Sequence, residues 1–278
     1  MQLQTRTLQK LLDDSLKEDY GIKGDITSDA VINSETQVKF AINARQNLVL
    51  CGIQIAQYYF NEYSSIKYQI HHTDSEIVQQ NTAIISGSGL AKELLLLERI
   101  ILNYMQHLSG IATTTSSYVE LVKETKAKIF DTRKTTPMLR QLQKYAVTCG
   151  GGYNHRLSLD SGILIKDNHI AICGGITKAI QRAKQYSPHY TRIEIECDTL
   201  EQVKESLLSG ADIIMLDNMS PEQIHEAVKL IDNRAIIEAS GNVSLNTVKS
   251  IAEAGVDVIS VGRITHSSTS VDIGLDII

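Results

Sequence analysis

The chain has 278 residues, of which 42% are hydrophobic and 21% charged, and its formal net charge is -5. That length fits two domains, or one large barrel with an addition, and suffices to bury a substantial core without cross-links. The acidic balance argues against general nucleic-acid binding, which needs a basic face, and no apolar run of about eighteen residues is present to span a membrane.

In chain order, the N-terminal MQLQTRTLQKLLDD reaches acidic residues too early for the apolar stretch of a secretion signal, so a cytoplasmic protein is expected. Residues 38–50 alternate loosely as a strand, 52–60 read as helix, and 68–72 and 83–86 are expected as short strands. Residues 90–109 are predicted to be a long helix, because Leu94, Leu97, Ile101, Tyr104 and Leu108 recur at helical spacing. This part reads as a separate α/β layer over residues 1–110.

Residues 111–278 alternate short apolar runs with helices. The runs at 129–130, 163–165, 193–195, 213–216, 235–237 and 258–261 are apolar nearly throughout, as buried parallel strands are. Ser220-Pro221-Glu222-Gln223 offers an N-cap, a proline at the first helical position and a capping-box glutamine, and Thr199 with Gln202 repeats the box. Gly210 and Gly255 stand where helices need a left-handed stop. Repeated βα units imply a closed barrel or a doubly wound sheet. No GxGxxG follows the first strand, which disfavours the dinucleotide-binding sheet. An α/β barrel is therefore expected, with six strands visible and one or two more hidden in 139–160. Cys51, Cys149, Cys173 and Cys197 lie far apart without CxxC pairing and are read as isolated reduced thiols.

Barrel chemistry sits at the C-terminal ends of the strands, so the residues after each apolar run are the candidates. They are Asp131 to Thr136, Lys166 to His169, Glu196, Asp217 with Asn218, Ser240-Gly241-Asn242 and Gly262-Arg263, with Gly150 to Arg156 crossing the same face. The mouth thus gathers Arg133, Lys134, His155, Arg156 and Lys166 around the carboxylates Glu196 and Asp217. A basic cluster in an acidic protein implies a polyanionic small ligand, since arginine grips carboxylate or phosphate with a fork and lysine acts as a point charge. The carboxylates fit Mg2+ carried on a pyrophosphate, or sugar hydroxyls. Ser240-Gly241 and Gly262 fall where barrels hold phosphate on backbone amides. Taken singly, each residue has a plainer reading: Glu196 and Asp217 as neutralisers of the cluster, His155 as a packed histidine, Arg99 as a surface partner of Glu98.

Asp131-Thr132-Arg133-Lys134-Thr135-Thr136-Pro137, Lys144-Tyr145-Ala146-Val147, Gly150-Gly151-Gly152-Tyr153-Asn154-His155-Arg156 and Leu164-Ile165-Lys166-Asp167-Asn168-His169-Ile170 resemble the signature of the quinolinate phosphoribosyltransferase family. Weaker matches extend it from Glu18-Asp19 and Gly24-Asp25 through Glu98-Arg99, Leu102-Asn103, Ser109-Gly110-Ile111-Ala112-Thr113, Leu216-Asp217-Asn218 and Glu238-Ala239-Ser240-Gly241 to Gly262-Arg263-Ile264-Thr265-His266-Ser267. The resemblance implies an N-terminal α/β sandwich domain and a C-terminal α/β barrel with an incomplete strand ring, the last residues packing back on the first domain. It implies transfer of phosphoribosyl from phosphoribosyl pyrophosphate to quinolinate with decarboxylation, in a homodimer or higher homo-oligomer that shares Arg99 across its interface. Arg99, Arg133, His155 and Arg156 would hold quinolinate. Lys134, Lys166, Glu196 and Asp217 would be catalytic, the two carboxylates meeting substrate-borne Mg2+. Lys134, Lys166, Ser240, Gly241, Asn242, Gly262 and Arg263 would hold phosphoribosyl pyrophosphate. Two positions depart from the usual pattern: Asn242 replaces a second glycine, and Arg263 a small residue. Three rival readings are a transferase acting on nicotinate, a non-catalytic anion-binding barrel, and an aldolase using Lys166 as a Schiff base.

Overall fold

The computed structural model describes residues 5–278; the first four residues of the N-terminal stretch read above lie outside it. In order, the elements are α1 (Thr5–Tyr20), α2 (Ile26–Val31), β1 (Gln37–Ala44), β2 (Leu48–Val49), α3 (Ile53–Asn61), β3 (Lys67–Ile70), β4 (Ile77–Val78), β5 (Ala83–Leu90) and α4 (Ala91–Val122). There follow β6 (Lys128–Phe130), α5 (Arg140–Cys149), β7 (Ile163–Ile165), α6 (Asp167–Cys173), α7 (Ile176–Tyr186), β8 (Ile193–Cys197) and α8 (Leu200–Leu208). The chain closes with β9 (Ile213–Asp217), α9 (Pro221–Ile231), β10 (Ile236–Ser240), α10 (Val248–Glu253), β11 (Val258–Ser260), α11 (Arg263–His266) and β12 (Ile273–Ile277).

The chain divides into two compact units. The first runs to Ser116 and takes in Gln141–Gly151 and Ser268–Ile278; the second is Ser117–Arg140 with Gly152–Ser267. The first unit ends within α4, which runs on to Val122, and α5 joins the first unit. The physical reason is burial. Seven residues of α5 are buried, the Tyr145 hydroxyl donates to Asp74 at 2.6 Å, and a Cβ on Gly150 would meet the Ala112 carbonyl at 2.3 Å.

In the first unit the sheet order is β12-β1-β5-β3, antiparallel throughout, with β2 and β4 as a separate two-stranded ribbon. Helix α3 packs on this sheet through Phe60, whose ring lies 5.6 Å from Phe40 and 5.3 Å from Tyr68. The cysteines of this unit are not isolated. Cys51 and Cys149 come together with Asp74, one ligand atom of each within 4.8 Å of the others, and all four cysteines remain free thiols.

In the second unit six parallel strands run β6-β11-β10-β9-β8-β7, with helices between successive strands. The helix starts follow their sequence signals. Ser220 caps α9 by accepting from Gln223 N–H, with Pro221 at its first turn, and Thr199 caps α8 in the same way. The expectation of one or two strands hidden in 139–160 is corrected: α5 occupies that stretch, and only Tyr153 pairs with β6, as a single parallel bridge. Beyond Tyr153 no strand pairs with β7 on that side, so among the described residues the ring is incomplete. Among the described residues no helix is long and apolar enough to cross a membrane.

Candidate active site

Side chains alternate across a strand, so every second residue of these strands faces the barrel interior. At the C-terminal end those residues are Leu164 and Lys166, Glu196, Met215 and Asp217, Glu238 and Ser240, and Ser260. With Thr132, Arg133, Lys134, His155, Arg156, Asn218, Gly241 and Asn242 they enclose a cavity of about 530 Å3. One layer deeper, Glu194, Ile213, Ile236 and Val258 line a second cavity, of about 650 Å3, toward the N-terminal ends of the strands. Glu238, His155 and Arg156 border both. An α/β barrel normally fills this space with branched apolar side chains; here carboxylates stand in it.

The loop after β6 is held from several sides. Thr265 Oγ1 donates to the Lys134 carbonyl at 2.8 Å, Lys134 N–H donates to Thr132 Oγ1 at 3.0 Å, and Arg140 Nε donates to Thr135 Oγ1 at 2.9 Å. These bonds present Arg133 and Lys134 to the cavity. Arg133 Nε is buried without a hydrogen-bond partner, a costly arrangement unless an anion arrives. Burial first, and then the charge of Arg133, pull the pKa of the neighbouring Arg156 down, with Glu194 opposing. Two guanidiniums that repel each other in one cavity are suited to receive carboxylates.

His155 is fixed at both nitrogens. Its Nδ1 accepts the Arg156 backbone N–H at 2.8 Å, which places the ring proton on Nε2, 3.2 Å from Glu194 Oε2. Its own backbone N–H donates to Asp131 Oδ1 at 2.9 Å. Lys166 pairs with Glu196. Glu196, Asp198 and Asp217 offer carboxylate oxygens within 4.8 Å of one another, a donor set that suits a hard divalent cation. Burial raises the pKa of Asp217, Lys166 and Lys134 pull it down, and Asp198 pushes it up.

At the ends of β9 and β10, Asn218 N–H donates to the Ser240 carbonyl at 3.0 Å, and Asn242 Nδ2 donates to Asn218 Oδ1 at 3.0 Å. Gly241 has φ +89°, and a Cβ there would stand 2.3 Å from Asn218 Oδ1, so only glycine fits. Asn242 has φ 49°, the left-handed geometry asparagine tolerates. The departure from a second glycine thus keeps the turn.

Of the residues expected at the mouth, Arg133, Lys134, His155, Arg156, Lys166, Glu196, Asp217, Ser240, Gly241 and Asn242 line the one cavity. Gly262 borders it indirectly: a Cβ there would press on Lys134 Cδ at 3.0 Å. Arg263 is exposed at the start of α11, outside the lining, where its charge acts on Tyr118. Arg99 belongs to the first unit and is exposed on α4. Sequence reading by strand ends passed over Glu194 and Glu238, which lie inside the strands. The available signal was a carboxylate within an apolar run and, for Glu194, its position two residues before Glu196, on the same face.

The fold and cavity define an α/β-barrel protein whose strand ends gather cationic side chains and a carboxylate cluster around one cavity. Residues 25–109 match the family described as quinolinate phosphoribosyl transferase, N-terminal domain, and residues 111–276 the C-terminal domain of the same family. The chain belongs to the quinolinate phosphoribosyltransferase family. It is 44% identical to a protein of Methanocaldococcus jannaschii named probable nicotinate-nucleotide pyrophosphorylase (carboxylating), over 97% of this chain and 96% of that one. It is 39% identical to the nicotinate-nucleotide pyrophosphorylase (carboxylating) of Mycobacterium leprae, over 98% and 96%. The crystal structure of nicotinate-nucleotide pyrophosphorylase from Ehrlichia chaffeensis superposes with a TM-score of 0.95 at 48% identity, covering all of both chains.

Proposed function

We infer that the chain transfers the phosphoribosyl group of phosphoribosyl pyrophosphate to quinolinate and releases nicotinate mononucleotide, pyrophosphate and carbon dioxide. The observation that carries this reading is the joint presence, in one cavity, of paired guanidiniums, two lysines, a carboxylate cluster and a glycine turn. Arg133 and Arg156 grip the diacid, and the unpartnered Arg133 Nε gains its missing acceptor. The Ser240-Gly241-Asn242 turn holds the ribose phosphate on backbone N–H groups. Lys134 and Lys166 stand between the two ligands, where negative charge gathers on the departing pyrophosphate as the pyridine nitrogen attacks C1 of the ribose. Holding two anions together against their repulsion is itself much of the task.

Glu196 and Asp217, with Asp198 beside them, are the residues to hold Mg2+ that arrives on the pyrophosphate, where the ion supplies charge neutralisation. A second copy of the chain supplies Arg99, which is exposed and has no ion pair among the described residues. The test is release of pyrophosphate and carbon dioxide by the purified protein with quinolinate, phosphoribosyl pyrophosphate and Mg2+, with nicotinate in a parallel tube. Both products with quinolinate alone are expected. Turnover only with nicotinate would overturn the substrate, and silence in both tubes would overturn the reaction.

A further inference from the structure

The barrel interior holds a carboxyl group that phosphoribosyl transfer does not employ. Glu238 faces inward from the middle of β10, is 3% exposed, and borders both cavities. The groups facing it are Glu194 from β8, His155 Nε2 at 3.6 Å, Ser260 from β11 and the Lys166 ammonium at the end of β7. Its register partner on β9, Met215, is uncharged, and Arg156 is the other charged residue that borders both cavities. One oxygen each of Glu194 and Glu238 is buried without a hydrogen-bond partner. Burial first, then the Glu194 charge, push the Glu238 carboxyl up to about 7, against His155, Ser260 and Lys166. An acid that still holds its proton near neutrality therefore lies beneath the arginines of the upper cavity. Through the second cavity, it is also open to the opposite end of the barrel.

Resting on the transferase reading above, we propose that Glu238 is the proton donor that completes decarboxylation. When the bond between ring carbon C2 and its carboxylate breaks, carbon dioxide departs and the electron pair stays on C2, next to the quaternary nitrogen. The Glu238 O–H bond breaks in the same step, its proton forming the new C2–H bond before carbon dioxide can recombine, and Glu238 is left as a carboxylate. Water in the second cavity returns the proton while the nucleotide still covers the first. Among the described residues, Glu238 is the one carboxyl that lines both cavities. Glu196 and Asp217 are held at the outer edge beside Lys166 and Lys134.

Glu238→Gln tests this in single turnover, with quinolinate labelled in the C2 carboxylate, phosphoribosyl pyrophosphate and Mg2+. Pyrophosphate release is expected within about threefold of wild type, while label release as carbon dioxide falls about 100-fold, the scale of a general-acid contribution. The acid must carry its proton, so wild-type carbon dioxide release should fall as pH rises through neutrality, and the variant should lose that limb. Glu238→Asp should recover part of the rate that Gln does not, and unchanged quinolinate binding by calorimetry would establish that the Gln variant is folded. Equal loss of pyrophosphate and carbon dioxide would place Glu238 in transfer and overturn the proposal. So would an unchanged rate with an unchanged pH profile. If wild type released pyrophosphate without carbon dioxide, the proposal would fall while transfer stood; if it released neither, the transferase reading itself would fall, and the proposal with it.

Discussion

Gly241 gives a sharp test of how the phosphate is held. An alanine there would adopt φ near +89°, and its Cβ would stand 2.3 Å from Asn218 Oδ1, 2.5 Å from Asn218 Cγ and 2.7 Å from Asn218 N. The left-handed backbone alone costs a residue with a Cβ about 1–2 kcal/mol. Relieving the overlap means moving Asn218, whose amide oxygen accepts from Asn242 and whose N–H bonds the Ser240 carbonyl. Losing one such hydrogen bond adds about 1 kcal/mol. The sum, about 2–3 kcal/mol, falls on the turn assigned above to the phosphate, not on the arginines. If half or more of it is felt in binding, KM for phosphoribosyl pyrophosphate should rise about 5- to 150-fold, at tenfold per 1.4 kcal/mol. KM for quinolinate should change little. Steady-state kinetics with each substrate varied in turn, beside a thermal melt, make the measurement. A Gly241→Ala protein with wild-type KM for phosphoribosyl pyrophosphate would refute the assignment of this turn to the phosphate.

Arg156→Met should weaken quinolinate by about 1.5–3 kcal/mol, the value of a charged hydrogen bond, with phosphoribosyl pyrophosphate binding retained; equilibrium titration of each ligand checks it. Lys166→Met should lower kcat about 100- to 1000-fold, the range for removal of one preorganised electrostatic group, and near-normal turnover would exclude that role. Glu196→Gln should raise the Mg2+ concentration needed for half-maximal activity about tenfold, and chelation should silence the wild type; a metal titration reads both. The Glu238 carboxyl is raised from 4.5 to about 7, so the native fold keeps a proton that the unfolded chain has already released. Its contribution to stability is complete below pH 4.5 and is lost as pH rises through 7, by an amount on the order of 3 kcal/mol. Glu238→Gln should therefore melt higher than wild type at pH 8, and the difference should vanish near pH 4.5.

The parts of the fold governed by local rules were legible in the sequence. The caps at Ser220 and Thr199 are side-chain to backbone bonds within one turn, and they formed as read. The left-handed stops at Gly210 and Gly255 are set by single-residue sterics, and both have positive φ. Eight of the ten expected residues that line the cavity followed from one rule, that the candidates stand at the C-terminal ends of barrel strands, and His155 and Arg156 came from the loop crossing the same face. What the residues did not reveal is long-range. Residues 140–149 fell within the stretch expected to hide strands, because their apolar pattern is broken by Gln143 and Lys144 and shows no clear helical face. Both are buried in the structure, Gln143 against His107 at 2.9 Å, more than thirty positions away in the chain. Glu194 and Glu238 were hidden for a related reason: a carboxylate inside a strand gives no sign of the cavity that other strands build around it. Cys51 and Cys149 looked isolated because sequence distance says nothing about folded distance.

One consequence concerns the order in which the polypeptide is made. The sheet of the first unit is completed by β12, whose residues Ile273–Ile277 pair with Ala44–Phe40 of β1. As the chain leaves the ribosome, β1 is synthesised near the start and its outer partner near the end, so that edge stays open while every strand of the barrel emerges. The barrel sheet is complete slightly earlier, once β11 has been made to pair with β6, since β6 to β11 all precede β12 in the chain. Vectorial synthesis thus favours a nascent chain in which the barrel is assembled before the N-terminal sheet is sealed. In the interval, the unpaired edge of β1 is the segment most open to pairing with another nascent chain.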